Sequence, residues 1–158
     1  MNTRQCRVGL CLALGFALLP LFAGQAQSQK AADKNQTYKG IVLPLEKVLA
    51  KQDVKLDPDA ANLMVLKGDD GKVFPLVKDA GARMFYKDKR LLDRPMRVTA
   101  RPVASGALLQ VINVHSYVKG QLCEVYYWCD ICAIRSFDFG ICDCCGGPTE
   151  LREVPVKE

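Results

Sequence analysis

The cysteines of this chain are concentrated near its C-terminus. The chain has 158 residues and eight cysteines. Six of them fall within about 23 residues of sequence: Cys123, Cys129, Cys132, Cys142, Cys144 and Cys145. Residues 27–122 contain none. A segment this short buries too little apolar surface to fold alone, so covalent bonds, a metal ion or packing on a neighbour must stabilise it.

Four of the six cysteines form two C-x-x-C pairs, Cys129/Cys132 and Cys142/Cys145. Each pair makes a tight turn that directs two thiolates to one point, and a short hairpin between the pairs can bring four sulfurs to ~2.3 Å from a zinc ion. Gly146 follows the second pair, where knuckle turns commonly need a backbone without Cβ. The spacing predicts one structural zinc ion on Cys129, Cys132, Cys142 and Cys145, with Cys144 as the alternate ligand to Cys145.

The two pairs resemble the rubredoxin-like knuckles of zinc ribbons. Their gap over residues 133–141 is shorter than the ~15–20 residues usual in such sites. The resemblance implies a zinc-ribbon-like segment over residues 129–152, followed by a tail over 153–158. A four-sulfur site has no open coordination position, so zinc there stabilises the fold and does not activate water. Arg135 and Arg152 are candidates for cations near the thiolates, or else are solvated surface residues.

Two other chemistries fit the same cysteines. Six cysteines in an exported protein can form three disulfides, and Cys123 with Cys144 can form a disulfide beside the zinc site or remain as two thiols. Alternatively, Cys129 and Cys132 can serve a thiol-disulfide oxidoreductase or a thiol-based metal carrier. An exchange-active pair needs a thiolate of low pKa, usually at a helix N-terminus, whereas this pair follows a predicted strand. We therefore favour the zinc site.

The first 26 residues have the pattern of a secretory signal peptide. Arg4 and Arg7 precede an apolar run over residues 8–22, and small residues follow, with cleavage predicted after Ala26. The apolar run is shorter than the ~20 residues that span a bilayer. Cleavage removes two arginines and two cysteines, which lowers the net charge from +5 to +3. We expect a periplasmic or extracellular protein with a flexible leader over residues 27–37 and no transmembrane segment after cleavage.

The middle of the chain has the alternation of β-strands. Residues 96–101 alternate between apolar and polar side chains, and glycines at 68 and 71 join two apolar runs into a hairpin. Residues 108–118 and 122–128 form a second strand pair, and short helices are predicted over 45–52 and 82–92. This order, without β-α-β alternation, predicts a mainly β fold. We expect a small OB-like antiparallel barrel over residues 38–128 with one or two short helices.

Residues 94–114 look like the OB-like domains common in exported bacterial proteins. The run over residues 126–132, together with 142–148 and 150–152, is similar to uncharacterised exported bacterial proteins that pair an OB-like β-barrel with a C-terminal zinc-ribbon segment. The resemblance implies no particular activity. OB-like folds bind oligonucleotides, oligosaccharides or proteins. Export makes nucleic acid an unfavoured partner, so a protein or a glycan is the expected ligand.

The sequence offers little for catalysis. His115 is the single histidine, and no nucleophile motif accompanies it. We therefore expect no catalytic residue and assign His115 a structural or surface role. The chain is predicted to be an exported, non-enzymatic binding or scaffold protein.

Two runs mix aromatic residues with other groups. Residues 83–90 mix basic and aromatic side chains, which could stack on bases or sugars. Helical spacing instead favours a core role for three residues there and just beyond: Met84, Phe85 and Leu91. The aromatic run over residues 126–128 leads into the first cysteine pair. We expect it to pack the sheet against the cysteine segment, with a carbohydrate platform as the alternative.

Overall fold

The structure is a computed structural model, and it describes residues 34–52 and 54–157. The predicted signal peptide, most of the predicted leader, and Cys6 and Cys11 lie outside the described residues. No helix in the described part of the chain combines the length and the apolar character needed to cross a membrane.

In the described part of the chain, eight strands form one mainly antiparallel sheet. They are β1 (Gln36–Pro44), β2 (Met64–Gly68), β3 (Val73–Pro75), β4 (Pro95–Val103), β5 (Leu108–Val118), β6 (Gln121–Cys129), β7 (Ile134–Ser136) and β8 (Glu150–Pro155). Neighbouring strands follow the order β3-β2-β1-β4-β5-β6-β7, and β8 pairs with β6. A parallel bridge between Leu76 and Leu109 brings the end of β3 beside β5, so the sheet curls over its apolar face. The predicted mainly β fold is confirmed.

The described residues between the strands form three short α-helices: α1 (Leu45–Leu49), α2 (Pro58–Ala61) and α3 (Arg83–Lys87). The helix predicted over residues 82–92 is shorter than expected. It ends because Asp88 adopts an extended backbone (φ −118°, ψ 102°), and a 3-10 turn over Lys89–Leu91 follows. The carboxylate of Asp88 accepts a hydrogen bond from the backbone N–H of Arg90 and so caps that turn. Met84, Phe85 and Leu91 are buried, as predicted.

Strand β6 connects the sheet to the cysteine segment. It pairs with β5 near its start, with β7 near its end and with β8 along most of its length. Val125, Tyr127 and Cys129 point to the buried side of β6, because alternate residues of a strand face the same side. The core therefore continues along β6 as far as the first cysteine of the first pair.

Strand β8 crosses the predicted boundary between the zinc-ribbon-like segment (129–152) and the tail (153–158). It pairs with residues 123–128 of β6, so the chain returns to the sheet after the second cysteine pair. Glu153 of β8 bonds to the hydroxyl of buried Ser116 and to the guanidinium of Arg94. The cysteine segment is thus anchored in the sheet at both of its ends.

Asp88 is a buried carboxylate where α3, the 3-10 turn and β6 meet. Only 3% of the residue is exposed. It accepts hydrogen bonds from the guanidinium of Arg90 at 2.7 Å and from the hydroxyl of Tyr127 at 2.8 Å. Burial by itself raises the pKa of Asp88, but these hydrogen bonds outweigh burial and hold the pKa below its usual range. The charged form of Asp88 therefore stabilises the fold.

We predict that Tyr127→Phe lowers the free energy of unfolding at neutral pH by about 2 kcal/mol, because the hydrogen bond to a charged acceptor is lost. The pKa of Asp88 is lowered in the folded state. Its contribution is therefore fully present above about pH 4 and is lost as the pH falls through the lowered pKa. Stability should fall less steeply below pH 4 in the variant than in the wild type.

Urea unfolding across this pH range, followed by the fluorescence of the single tryptophan, measures both effects. Tyr86→Phe is the matched control. The Tyr86 hydroxyl accepts a hydrogen bond from the backbone N–H of Met64, so this variant removes a tyrosine hydroxyl that is not bonded to Asp88. In Tyr86→Phe, stability should fall below pH 4 as steeply as it does in the wild type. A Tyr127→Phe profile parallel to that of the wild type would contradict the prediction.

Candidate metal centre

The four cysteines predicted as ligands come together at the end of β6. Their Sγ atoms all lie within 4.8 Å of one another, and those of Cys129 and Cys145 are 3.5 Å apart. A tetrahedron with zinc–sulfur bonds of ~2.3 Å has edges of about 3.8 Å. The cluster of Cys129, Cys132, Cys142 and Cys145 therefore has the size of a tetrahedral metal site.

Both cysteine pairs use the same local backbone design. The residue after each second cysteine has a positive φ, 53° at Ala133 and 70° at Gly146. This left-handed residue turns the chain back after the second thiol of each pair. In the second pair, the N–H of Gly146 donates to the carbonyl of Cys142 at 2.8 Å and closes the turn. Sequence analysis predicts the glycine of the second turn but not the positive φ of Ala133.

Backbone amides also point at the first sulfur of each pair. The N–H groups of Cys145 and Cys144 lower the pKa of the Cys142 thiol to about 7, against the opposing effect of burial. The N–H groups of Cys132 and Ile131 act in the same direction on Cys129, at the corresponding positions of the first pair. Amide donors of this kind stabilise a thiolate, which is the form that binds a metal.

Crowding of the sulfurs opposes ionisation of two of the four thiols, Cys132 and Cys129. The neighbouring thiols of Cys144 and Cys145, together with burial, raise the pKa of Cys132. Burial and the thiols of Cys145 and Cys142 leave the pKa of Cys129 raised despite its amide donors. A divalent cation at the centre would remove this penalty, because it makes four adjacent thiolates mutually compatible.

The remaining two described cysteines lie outside this set of four. Cys144 is exposed, and Cys123 is buried on β6 with its Sγ 3.7 Å from the carbonyl of Gln121. All six described cysteines are free thiols, so the structure contains neither the Cys123–Cys144 disulfide nor a three-disulfide framework. The structure groups Cys145, rather than the alternate ligand Cys144, with the other three cysteines.

The chain between the two pairs docks against the sheet through Asp138 and Phe139. Asp138 pairs with Arg83 and Lys87 of α3. The ring centroids of Phe139 and Tyr127 are 5.6 Å apart. The guanidinium of Arg90 lies over the Phe139 ring, 5.3 Å from the centroid of that ring. The predicted joint therefore involves Tyr127, with Phe139 as the partner that sequence analysis missed.

Tyr126 and Trp128 face the opposite side of β6 from Tyr127. Each carries an arginine on its ring: Arg135 lies 4.3 Å from the centroid of Tyr126, and Arg152 lies 5.0 Å from that of Trp128. The same arginines pair with Glu124 and Asp130, respectively. Their charges are thus directed to carboxylates and aromatic rings, and the bond to Asp130 ties β8 to the first cysteine turn.

His115 lies half-buried on β5, where it is paired with Arg97 of β4 and with Glu124 of β6. Burial and the neighbouring guanidinium of Arg97 lower its pKa. The imidazole of His115 is therefore neutral at neutral pH. The histidine therefore belongs to the outward surface of the sheet and not to the cysteine cluster.

No protein-family model matches the chain, and no curated protein or solved structure shows significant similarity to it. The fold and the site therefore define only a class. This is a small, mainly antiparallel β protein with four C-terminal cysteines able to hold a metal ion.

The two turns give a matched pair of backbone substitutions. A Cβ at Gly146 would meet nothing within 4 Å, so Gly146→Ala tests the cost of a left-handed alanine alone. We predict a loss of about 1 kcal/mol in the free energy of unfolding of the metal-loaded protein. Ala133→Gly should stabilise the same state by up to about 1 kcal/mol, reduced by the greater chain entropy of glycine when unfolded.

Denaturant unfolding and the chelator concentration that removes half of the metal measure this pair. Opposite signs for the two substitutions are expected. Changes of the same sign would show that the two turns are not equivalent.

Proposed function

We propose that this protein is an exported, non-enzymatic binding or scaffold module whose C-terminal segment is held together by one structural zinc ion. The observation that carries the proposal is the convergence of four sulfurs within 4.8 Å from two turns of the same design. Zinc prefers tetrahedral sulfur ligation, and a site with four thiolates has no position left for water or substrate. The export part rests on the signal-peptide pattern of residues 1–26.

The position of the cluster supports a structural role. Residues 130–149 connect β6 to β8 and contain one strand of three residues, β7. Within this described connection, the only other strand pairing is an isolated bridge between Ile141 and Pro148, and a connection of that length with so little regular structure is unusual in a compact domain. The fully buried apolar side chains of the described residues lie in the sheet, in α3 and in the segments directly flanking them, whereas Ile131 and Ile141 beside the cysteines are 71% and 70% exposed. With so little apolar burial, metal binding would supply the folding free energy of this segment.

The binding role is supported by the way the first five strands enclose the core. β1 pairs with both β2 and β4, β4 pairs with β5, and the bridge between Leu76 and Leu109 joins the end of β3 to β5. Five strands with this connectivity and a helix between β3 and β4 fit an OB-like barrel, an architecture that presents an outward strand face to ligands. We therefore interpret residues 38–128 as an OB-like binding module.

The alternative is a thiol-disulfide oxidoreductase or a thiol-based metal carrier. It is favoured by two exposed thiols, Cys144 and Cys145, beside Cys142 with its pKa of about 7. The pair named for this role, Cys129 and Cys132, has raised pKa values, which lower the fraction of attacking thiolate at neutral pH. The structural role is therefore the better supported one.

Native mass spectrometry of the purified mature protein tests the zinc site. We predict one zinc ion per chain, removed by chelator, and its loss in serine variants of each of four residues: Cys129, Cys132, Cys142 and Cys145. Cys144→Ser and Cys123→Ser are matched controls that should retain the ion. A metal-free chain lighter by six hydrogens would establish three disulfides and overturn the proposal. Retention in Cys145→Ser with loss in Cys144→Ser would reassign the fourth ligand.

Insulin reduction with dithiothreitol as the electron donor tests the alternative. We predict that the wild-type protein and the double variant Cys129→Ser/Cys132→Ser give the same rate as dithiothreitol alone, because the metal-bound thiolates are not available for exchange. A wild-type rate above that of the double variant would establish the oxidoreductase instead.

A further inference from the structure

The outward face of the sheet carries cations directly opposite one another. Lys39 on β1 is the register partner of Arg97 on β4, and Arg97 is the partner of His115 on β5. These residues alternate with buried Gly40, Met96 and Val114, so they face away from the core. Like charges at opposite register positions destabilise a strand pair. The pairing of Lys39 with Arg97 is therefore unfavourable for folding, and His115 adds no compensating negative charge.

The arginines of this face differ from the other arginines in the described part of the chain. Five of the seven described arginines pair with a carboxylate: Arg83, Arg90, Arg94, Arg135 and Arg152. The other two, Arg97 and Arg101, lie on the outward face of β4 and have no acidic partner among the described residues. Lys67 of β2 and Lys39 are also unpaired there, and Glu124 at the far end of the row is already bonded to Arg135.

Unsatisfied hydrogen-bonding groups mark the same face independently. Two buried side-chain polar atoms in the described residues have no hydrogen-bond partner, Nε of Arg101 and Nδ1 of His115. Buried polar atoms are almost always bonded, so each unbonded one calls for a ligand or another explanation. Both atoms lie beside the unpaired cations, on neighbouring strands β4 and β5. A ligand with both acceptor and donor groups would satisfy the guanidinium N–H and the imidazole nitrogen.

We propose that this basic face, defined by Lys39, Lys67, Arg97, Arg101 and His115, binds an acidic polysaccharide. The inference deepens the proposed binding function and rests on it. Charge complementarity supplies the attraction, because a guanidinium binds a carboxylate or sulfate through paired, charge-assisted hydrogen bonds. Arg97 and Arg101 are four residues apart on one strand, about 13 Å at ~3.3 Å per residue, so they can engage successive anionic groups of an extended chain.

The neutral side chains of this face favour a glycan over a single-stranded nucleic acid. Thr37 and Thr99 face each other between the cations, and Asn113 follows them on β5. Their hydroxyl and amide groups suit the hydroxyls of sugars. The outward positions of β1 and β4 carry no aromatic ring on which a base could stack, and stacking provides much of the affinity for single strands.

The test measures binding of a fluorescein-labelled heparin fragment to the zinc-loaded mature protein by anisotropy, at low and moderate salt. We expect binding that weakens as salt rises and that falls at least ~10-fold in Arg97→Gln/Arg101→Gln. Lys55→Gln/Lys89→Gln removes the same charge from exposed residues off this face and should change the affinity less than about twofold. Arg97→Lys/Arg101→Lys keeps the charge but should lose part of the affinity with the paired geometry.

Equal losses in the two glutamine double variants would overturn the inference, because net charge alone would then explain binding. It would also be overturned by tighter binding of a single-stranded DNA of equal charge, or of vesicles containing phosphatidylglycerol. Neutral dextran should not compete. Zinc content and the unfolding midpoint are measured on the same samples. A folded, zinc-loaded protein that does not bind heparin would refute the acidic polysaccharide alone, whereas loss of zinc from the wild type would refute the structural-zinc proposal.

Discussion

The crowding of four closely spaced sulfurs is the constraint on which the C-terminal part of this protein depends. Their Sγ atoms lie within 4.8 Å of one another, and backbone amides stabilise the thiolate of the first cysteine in each pair. The same crowding raises the pKa of Cys132 and Cys129. Without a cation, these two effects on thiolate formation oppose each other. A divalent cation at the centre would stabilise all four thiolates together. The geometry therefore suits a bound metal better than a set of free thiols.

The cluster is joined to the sheet through one strand. β6 carries core residues on its buried face and ends at Cys129, and β8 returns along β6 after the second pair. Between them, Asp138 and Phe139 contact α3, the 3-10 turn and Tyr127. The buried carboxylate of Asp88 bonds to the same Tyr127. The core, the Tyr127–Phe139 contact and the cysteine cluster thus share β6. A substitution that destabilises one of them should also destabilise the other two.

The two sides of the sheet differ in composition. The inward side contains an apolar core that continues to the first cysteine, whereas the outward side of β1 and β4 presents lysine and arginine side chains without acidic partners among the described residues. The aromatic rings of β6 lie on the outward side too, but each is covered by an arginine that is already paired. A glycan platform on those rings is therefore less favoured than the basic face beside them.

Local spacing in the sequence was sufficient to predict the strand-rich fold and the four clustered cysteines. Alternation over residues 96–101 reports burial of one strand face, and a C-x-x-C turn brings two sulfurs together whatever surrounds it. Strand β8 and the break at Asp88 were not predictable in this way. The first depends on pairing with β6, and the second depends on hydrogen bonds to Arg90 and to Tyr127, which is far away in sequence.

The sequence by itself determined the elements that depend on neighbouring residues: strands β1 to β6, the two cysteine turns and the glycine of the second turn. Only the tertiary structure decided which residues from distant parts of the chain meet. It placed Phe139 on Tyr127, directed Arg135 and Arg152 to carboxylates, and aligned Lys39 with Arg97 across two strands. The physical reason is that strand register and docking are set by the burial of the whole core, which no local pattern encodes.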